Sequence, residues 1–260
     1  MPSSKILSCL ALLIIISTSV VMAGCDVVTG SGKTSTFDMA FDNFSKIEAG
    51  YGFDVEVTRA DSYLIRITID ENLYEYLKIS KSGNTLYIGL KSGHHYTKMT
   101  QKAVVTLPDL YRLELSGAAE AVVSGFSTTH DMYFELSGAS QMELDNLEAA
   151  DAYFNLSGAS EVTGILNISD GEFDLSGASS LELEGSADDV SIEASGASDV
   201  RLSDFTSVNA DVELSGASDA VINASSRLDV DLSGASELEY IGSPRLGNIN
   251  ISGGSSIKQK

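Results

Sequence analysis

The sequence has no tryptophan, three prolines and two cysteines. Both cysteines, Cys9 and Cys25, lie close to the N-terminus, so the rest of the chain holds neither a disulfide framework nor a cysteine-type zinc site. Proline, the residue that most readily interrupts a strand ladder, is almost missing, which suits a regular stack. Positive charge is scarce as well, with 16 Lys and Arg against 37 Asp and Glu. That balance excludes nucleic acid, and an anionic membrane surface, as a direct ligand. It does not imply disorder, because 43% of the residues are hydrophobic. Helical spacing is absent too: no apolar stripe at steps of three and four runs through the second half.

What is present is a phrase. Ser-Gly-Ala-Ser, or a close variant, begins at Ser116, Ser137, Ser157, Ser176, Ser195, Ser215, Ser233 and Ser252, at steps of 18 to 21 residues. A near-constant period over eight copies is the mark of a repeat architecture. Around each copy the apolar residues alternate, as in Phe134, Leu136, Met142 and Leu144, or Phe173, Leu175, Leu181 and Leu183. Period two means strands with one buried face. No Asn-Gly or Asp-Gly turn folds a unit into a hairpin, so each strand must pair with its copy in the next unit. The pattern predicts an all-β, right-handed parallel β-helix of about eight ~19-residue coils, rising roughly 4.8 Å per coil. The glycines Gly117, Gly138, Gly158, Gly177, Gly196, Gly216, Gly234 and Gly253 are then structural. They are placed on the inward parity, where each permits a bend or a positive φ. The inward Ser that follows can bond a backbone group at the same bend, or its own copy in the next coil.

Outward positions form a second pattern. Two residues before the first Ser stand Glu114, Glu135, Asp174, Glu193, Glu213 and Asp231, with Asn155 and Asn250 in the same series. Four residues after it stand Glu120, Glu161, Asp199, Asp219 and Glu237, with Gln141, Ser180 and Ser256. Stacking makes two acidic columns flanking a flat lane of Ser and Ala. Like charges one strand apart repel, so this face calls for solvent, salt or a cationic partner. A solvated, aggregation-resistant wall is the plain alternative.

The N-terminal part is organised differently. Residues 1–24 read as an export signal, with Lys5 before an apolar run from Ile6 to Val21. The run ends in Met22-Ala23-Gly24-Cys25, which resembles a bacterial lipoprotein signal and makes Cys25 the predicted lipidation site. Acyl chains there would hold the protein on a membrane, outside the cytoplasm. Residues 25–36, rich in Gly, Ser and Thr, read as a flexible tether. Residues 37–108 do not repeat but carry alternating strands, such as Phe53 to Arg59 and Tyr63 to Asp70, and a short helical turn near Asp70 to Leu77. They are expected to cap the first edge of the β-helix, continuous with the repeats of residues 109–260, while Lys258 and Lys260 discourage end-to-end stacking at the other edge.

The run Val104 to Ala118, in which a strand ends in Leu107-Pro108 and Leu110, Leu113 and Leu115 lead into Ser116-Gly117-Ala118, resembles the putative auto-transporter adhesin head domain family of surface β-helix proteins. The resemblance extends over roughly Phe44 to Ser256 and includes the Gly83-Asn84-Thr85-Leu86 turn. It implies a right-handed β-helix and supplies no catalytic residues.

Parallel β-helices also host polysaccharide lyases and hydrolases, which need one coil singled out by an acid-base constellation. Here the carboxylates recur in every coil, so the chain reads as a non-enzyme without a cofactor. His94 and His95 are adjacent and lack further ligands, so no metal site is read. The expected function is adhesion or ligand binding at the bacterial envelope through an extended face, with a protein or polysaccharide partner. A structural spacer or envelope-stress sensor is the alternative, and a polysaccharide-acting enzyme a lesser one.

Overall fold

A computed structural model describes residues 26–260. The export signal and Cys25, the predicted lipidation site, lie outside the described residues. From Arg112 onward the chain is a parallel β-helix. Strands that precede the phrase stack on one another to form a first sheet: Arg112–Leu115 pairs with Met132–Leu136, that with Asp151–Leu156, and that with Asp170–Leu175. The series continues through residues 189–194 and 209–214 to the last coil. Strands that follow the phrase form a second sheet, from Glu120–Ser124 through Gln141–Glu148 to Ser256–Gln259. A short third side closes the coil, where Leu147 lies beside Leu166 and Gly185 beside Phe205. Every one of these pairings is parallel. Each residue therefore sits over its equivalent in the neighbouring coil, which turns the sequence period into columns.

The columns explain the core. Leu115, Leu136, Leu156 and Leu175 are buried one above another, and so are Phe134, Phe154 and Phe173, whose ring centroids are 4.8 and 5.5 Å apart. Such contacts add about 0.5–1.5 kcal/mol per aromatic pair beyond area burial.

The phrase is the bend between the two sheets. All eight of its glycines have φ between 72° and 82°, a left-handed conformation. From Gly138 onward the backbone N–H after each glycine donates to the glycine carbonyl of the coil below; the Ala139–Gly117, Ala159–Gly138 and Ala178–Gly158 bonds are all 2.7 Å. The glycines are not on the inward parity. They are exposed at the corner, because the bend interrupts the alternation between Leu136 and Ser140. The second serine is the inward residue, and of the two partners open to it the structure uses the same bend: Ser140 Oγ donates to the Ser137 carbonyl at 2.8 Å and Ser179 Oγ to that of Ser176 at 2.8 Å. This satisfies a buried hydroxyl without any partner from the core.

The non-repeating segment enters the β-helix itself. Lys46–Ala49 and Asp54–Arg59 form a coil directly beneath Arg112–Leu115 and Glu120–Ser124. Thr85–Leu90 and Gln101–Leu107 form the layer below that. The chain therefore builds one coil, drops to a lower one, and skips back over the first to begin the repeats. Antiparallel strands finish this end: Leu77–Ser82 on Thr85–Leu90, and Leu64–Asp70 on Gln101–Leu107, with Thr34–Met39 outermost. A 3-10 turn at Glu71–Tyr76 connects them.

The stretch expected to be a tether is docked over its described part. Asp26–Thr29 pairs in parallel with His94–Thr97, which puts the adjacent His94 and His95 on a strand. The buried carboxylate of Asp70 accepts from Gly32 N–H at 2.6 Å and Thr100 N–H at 2.8 Å. The Gly- and Ser-rich composition suits a flexible linker, but the donors it carries are what this carboxylate needs.

Candidate functional site

The first column is in register over its whole length: Glu114, Glu135, Asn155, Asp174, Glu193, Glu213, Asp231 and Asn250 are successive partners, and Glu48 extends it downward. The second is as regular, from Asp54 through Glu120, Gln141, Glu161, Ser180, Asp199, Asp219 and Glu237 to Ser256. They do not share one flat face. The first stands on the sheet before the bend and the second on the sheet after it, with the exposed Ser-Gly-Ala corner between them.

The sheet before the bend holds the concave surface. A groove of about 900 Å³ runs along it, lined among others by Tyr153, Asp170, Glu172, Asp189, Asp211 and Asp229. Beside it lies a second depression of about 380 Å³ where Asp174, Glu193, Glu213 and Asp231 face Ser176 and Ser195. The second column lines a smaller depression of about 200 Å³, with Glu120 and Glu161. Two further acidic series on the first sheet went unread in the sequence, one through Asp151, Asp170 and Asp189, the other through Glu172, Asp211 and Asp229. The signal was available: they stand two and four residues before the first column, on the same outward parity.

Charge along the sheet before the bend is uneven. At the lower end Arg112 reaches Glu135 at 2.6 Å and Glu114 at 3.5 Å. At the upper end Arg227 holds Asp229 at 2.5 Å, which with the Asn248 backbone N–H keeps that carboxyl below the usual range. In between, Asp174, Glu193 and Glu213 form no ion pair among the described residues. Partial burial, then the neighbouring Glu172 and Glu193, raise the Asp174 carboxyl above its ordinary value. Asp170 is raised likewise by burial and by Asp151 and Asp189. Both shifts record uncompensated negative charge on a surface that excludes part of its water.

An aromatic ladder adjoins the groove. The Tyr133 and Tyr153 rings lie parallel at 4.7 Å, and Tyr111 sits 5.1 Å from Tyr133 with the Lys46 ammonium 5.2 Å from its centroid. The Tyr133 phenol is pushed up to about 12, chiefly by its hydrogen bond with Tyr111 and then by burial. Tyr153 is the top of the ladder and lines the groove.

His94 packs edge-on to Tyr76 at 4.9 Å, and no cluster of three or more metal-binding side chains occurs among the described residues. Lys258 lies in the final strand, Ser256–Gln259, and Lys260 just after it. Both reach back to Glu239, at 3.1 and 3.7 Å.

The family model "Putative auto-transporter adhesin, head GIN domain" matches residues 43–244. No curated protein matches the chain. Among solved structures it is similar to a putative adhesin from Parabacteroides merdae, with 20% identity over 90% of this chain and 99% of that one and a TM-score of 0.84. A putative adhesin from Parabacteroides distasonis gives 20% identity, 90% and 100% coverage and a TM-score of 0.83. A putative lipid binding protein from the same species gives 20% identity, 90% and 100% coverage and a TM-score of 0.79. At such identities the likeness is one of fold.

Proposed function

The chain belongs to the putative auto-transporter adhesin, head GIN domain family, and from that premise we propose that it is a non-catalytic adhesin of the bacterial surface, binding through the sheet before the bend. Lipidation of Cys25 would hold it on the membrane with the β-helix outside the cytoplasm. Its partner is a cation-bearing protein or polysaccharide of the envelope. The observation that carries this reading is the run of stacked carboxylates without ion pairs, Asp174, Glu193 and Glu213, along a concave face. Leaving such charges unpaired over successive coils is unfavourable for the free protein, and an arriving cation removes that cost. Repetition of the carboxylates along successive coils also favours an extended ligand over a single reacting centre.

The test is binding of the full chain to envelope extract, compared with Asp174→Asn, Glu193→Gln, Glu213→Gln and Asp231→Asn combined. Saturable binding that weakens with salt and is lost in the variant supports the proposal. Binding unchanged by the four substitutions removes this face from consideration, and absence of any saturable partner favours a spacer.

A further inference from the structure

The column of glycines at the bend contains one side chain. Ala49 is the register partner of Leu115 and Asp54 of Glu120, so Gly50, Tyr51, Gly52 and Phe53 lie beneath Ser116, Gly117, Ala118 and Ala119. Tyr51 therefore occupies the glycine position of the first coil, and it keeps the glycine backbone, with φ +60°. An aromatic residue is strained there, and glycine is not.

The coil below explains how a side chain fits. At Gly158 or Gly177 a Cβ would fall 2.5 Å from the carbonyl oxygen of the glycine underneath. Beneath Tyr51 there is no such corner, because after Leu90 the chain leaves the stack and returns at Gln101. The ring fills that space. It lies over Gly89, where a Cβ would come within 3.2 Å of it, and meets Tyr96 edge-on at 6.3 Å. It remains 43% exposed. Room permits the side chain but does not require it, and strain retained where glycine would relieve it points to a use for the ring.

That use is visible beside it. Tyr51 is one wall of a slot of about 380 Å³, with Tyr87, Lys78, Ser80, Glu48 and Glu114 among the other linings. Two tyrosines offer apolar faces, the carboxylates accept hydrogen bonds, and Lys78 and Ser80 donate them. We propose that this slot binds a pyranose sugar ring, whose C–H face rests on an aromatic wall while its hydroxyls meet the polar rim. The same ring can come from a free glycan or from a glycolipid headgroup. The slot lies at the lower end of the first column, where it shares Glu48 and Glu114, but none of its lining residues lines the acidic groove, and it does not rest on the function proposed for that groove.

The experiment is saturation-transfer NMR on the full chain. The probes are the methyl pyranosides of glucose, galactose, mannose and N-acetylglucosamine, and vesicles carrying a glucosyl lipid. Wild type should transfer saturation to at least one of these, with free glycosides and vesicles separating the two sources. Tyr51→Gly should lose about tenfold or more in affinity, with a melting temperature equal to or above wild type. Tyr51→Asn, whose residue type tolerates the same backbone, should lose binding too, whereas Tyr51→Phe keeps it and the Glu193→Gln, Glu213→Gln pair leaves it unchanged. No transfer to any probe, or full binding by the Gly and Asn variants, overturns the proposal.

Discussion

Alanine at two glycines of the same column should have unequal consequences. Gly117 and Gly177 share a left-handed backbone, with φ of 76° and 81°. At either, alanine adopts that conformation at a cost of about 1–2 kcal/mol, partly offset by about 0.4–1 kcal/mol from a stiffer unfolded chain. At Gly117 little else happens, since the nearest atom to the new Cβ is Tyr51 N at 3.4 Å. At Gly177 the Cβ would sit 2.5 Å from the Gly158 carbonyl oxygen, well inside contact distance. The coils must part there, straining the 2.7 Å bond from Ala178 N–H to that same oxygen. Overpacking of this kind adds about 1–3 kcal/mol, so Gly177→Ala should cost about 2–4 kcal/mol against about 1 for Gly117→Ala. For a domain of this size that difference corresponds to roughly 2–4 °C per kcal/mol. Far-UV circular dichroism during urea and thermal unfolding reads both variants. Equal destabilisation would mean that the glycines are needed for φ alone and that coil-on-coil contact at the corner is not tight.

Other expectations follow from the same columns. Ser179→Ala removes the 2.8 Å hydrogen bond to the Ser176 carbonyl and should destabilise by about 1 kcal/mol in urea melts, whereas alanine at the exposed Ser176 should cost less. The Asp174 carboxyl is raised in the folded state by burial and by Glu172 and Glu193, so its ionisation opposes folding. Its stabilising, protonated form is lost as pH rises through the folded value; Asp174→Asn should therefore raise the melting temperature at pH 7, with the gain vanishing once the pH falls below the ordinary carboxylate range. Added monovalent salt should raise the melting temperature of the wild type more than that of the four-site neutral variant, because screening relieves repulsion that the variant no longer has.

The periodic part of the fold was legible because stacking repeats one local rule. Alternation around Phe134 and Leu136 identified the buried face, and the fixed spacing of Ser-Gly-Ala-Ser gave the register, so both carboxylate columns could be written down in advance. The glycine's side of the bend was misjudged, since strict alternation cannot express a corner at which Ser137, Gly138 and Ala139 pass between two buried residues. The coil at Lys46–Arg59 escaped notice for a related reason: its corner reads Gly50-Tyr51-Gly52-Phe53, and the layer it rests on is built from strands that come later in the chain. Non-sequential stacking leaves no period to detect. The docking of residues 26–36 was hidden because the partner that orders them, Asp70, lies far along the sequence.

Distance along the stack tests the central claim most directly. Glu135 and Asp231 are five pairings apart in one column, through Asn155, Asp174, Glu193 and Glu213. Spin labels at Glu135→Cys and Asp231→Cys, with Cys9 and Cys25 changed to Ser, should give a narrow electron–electron distance near 24 Å, from roughly 4.8 Å per coil. Moving the second label to Glu213 should shorten it by about one coil rise. Distances that fail to fall with each coil, or a broad distribution, would contradict a parallel stack in register.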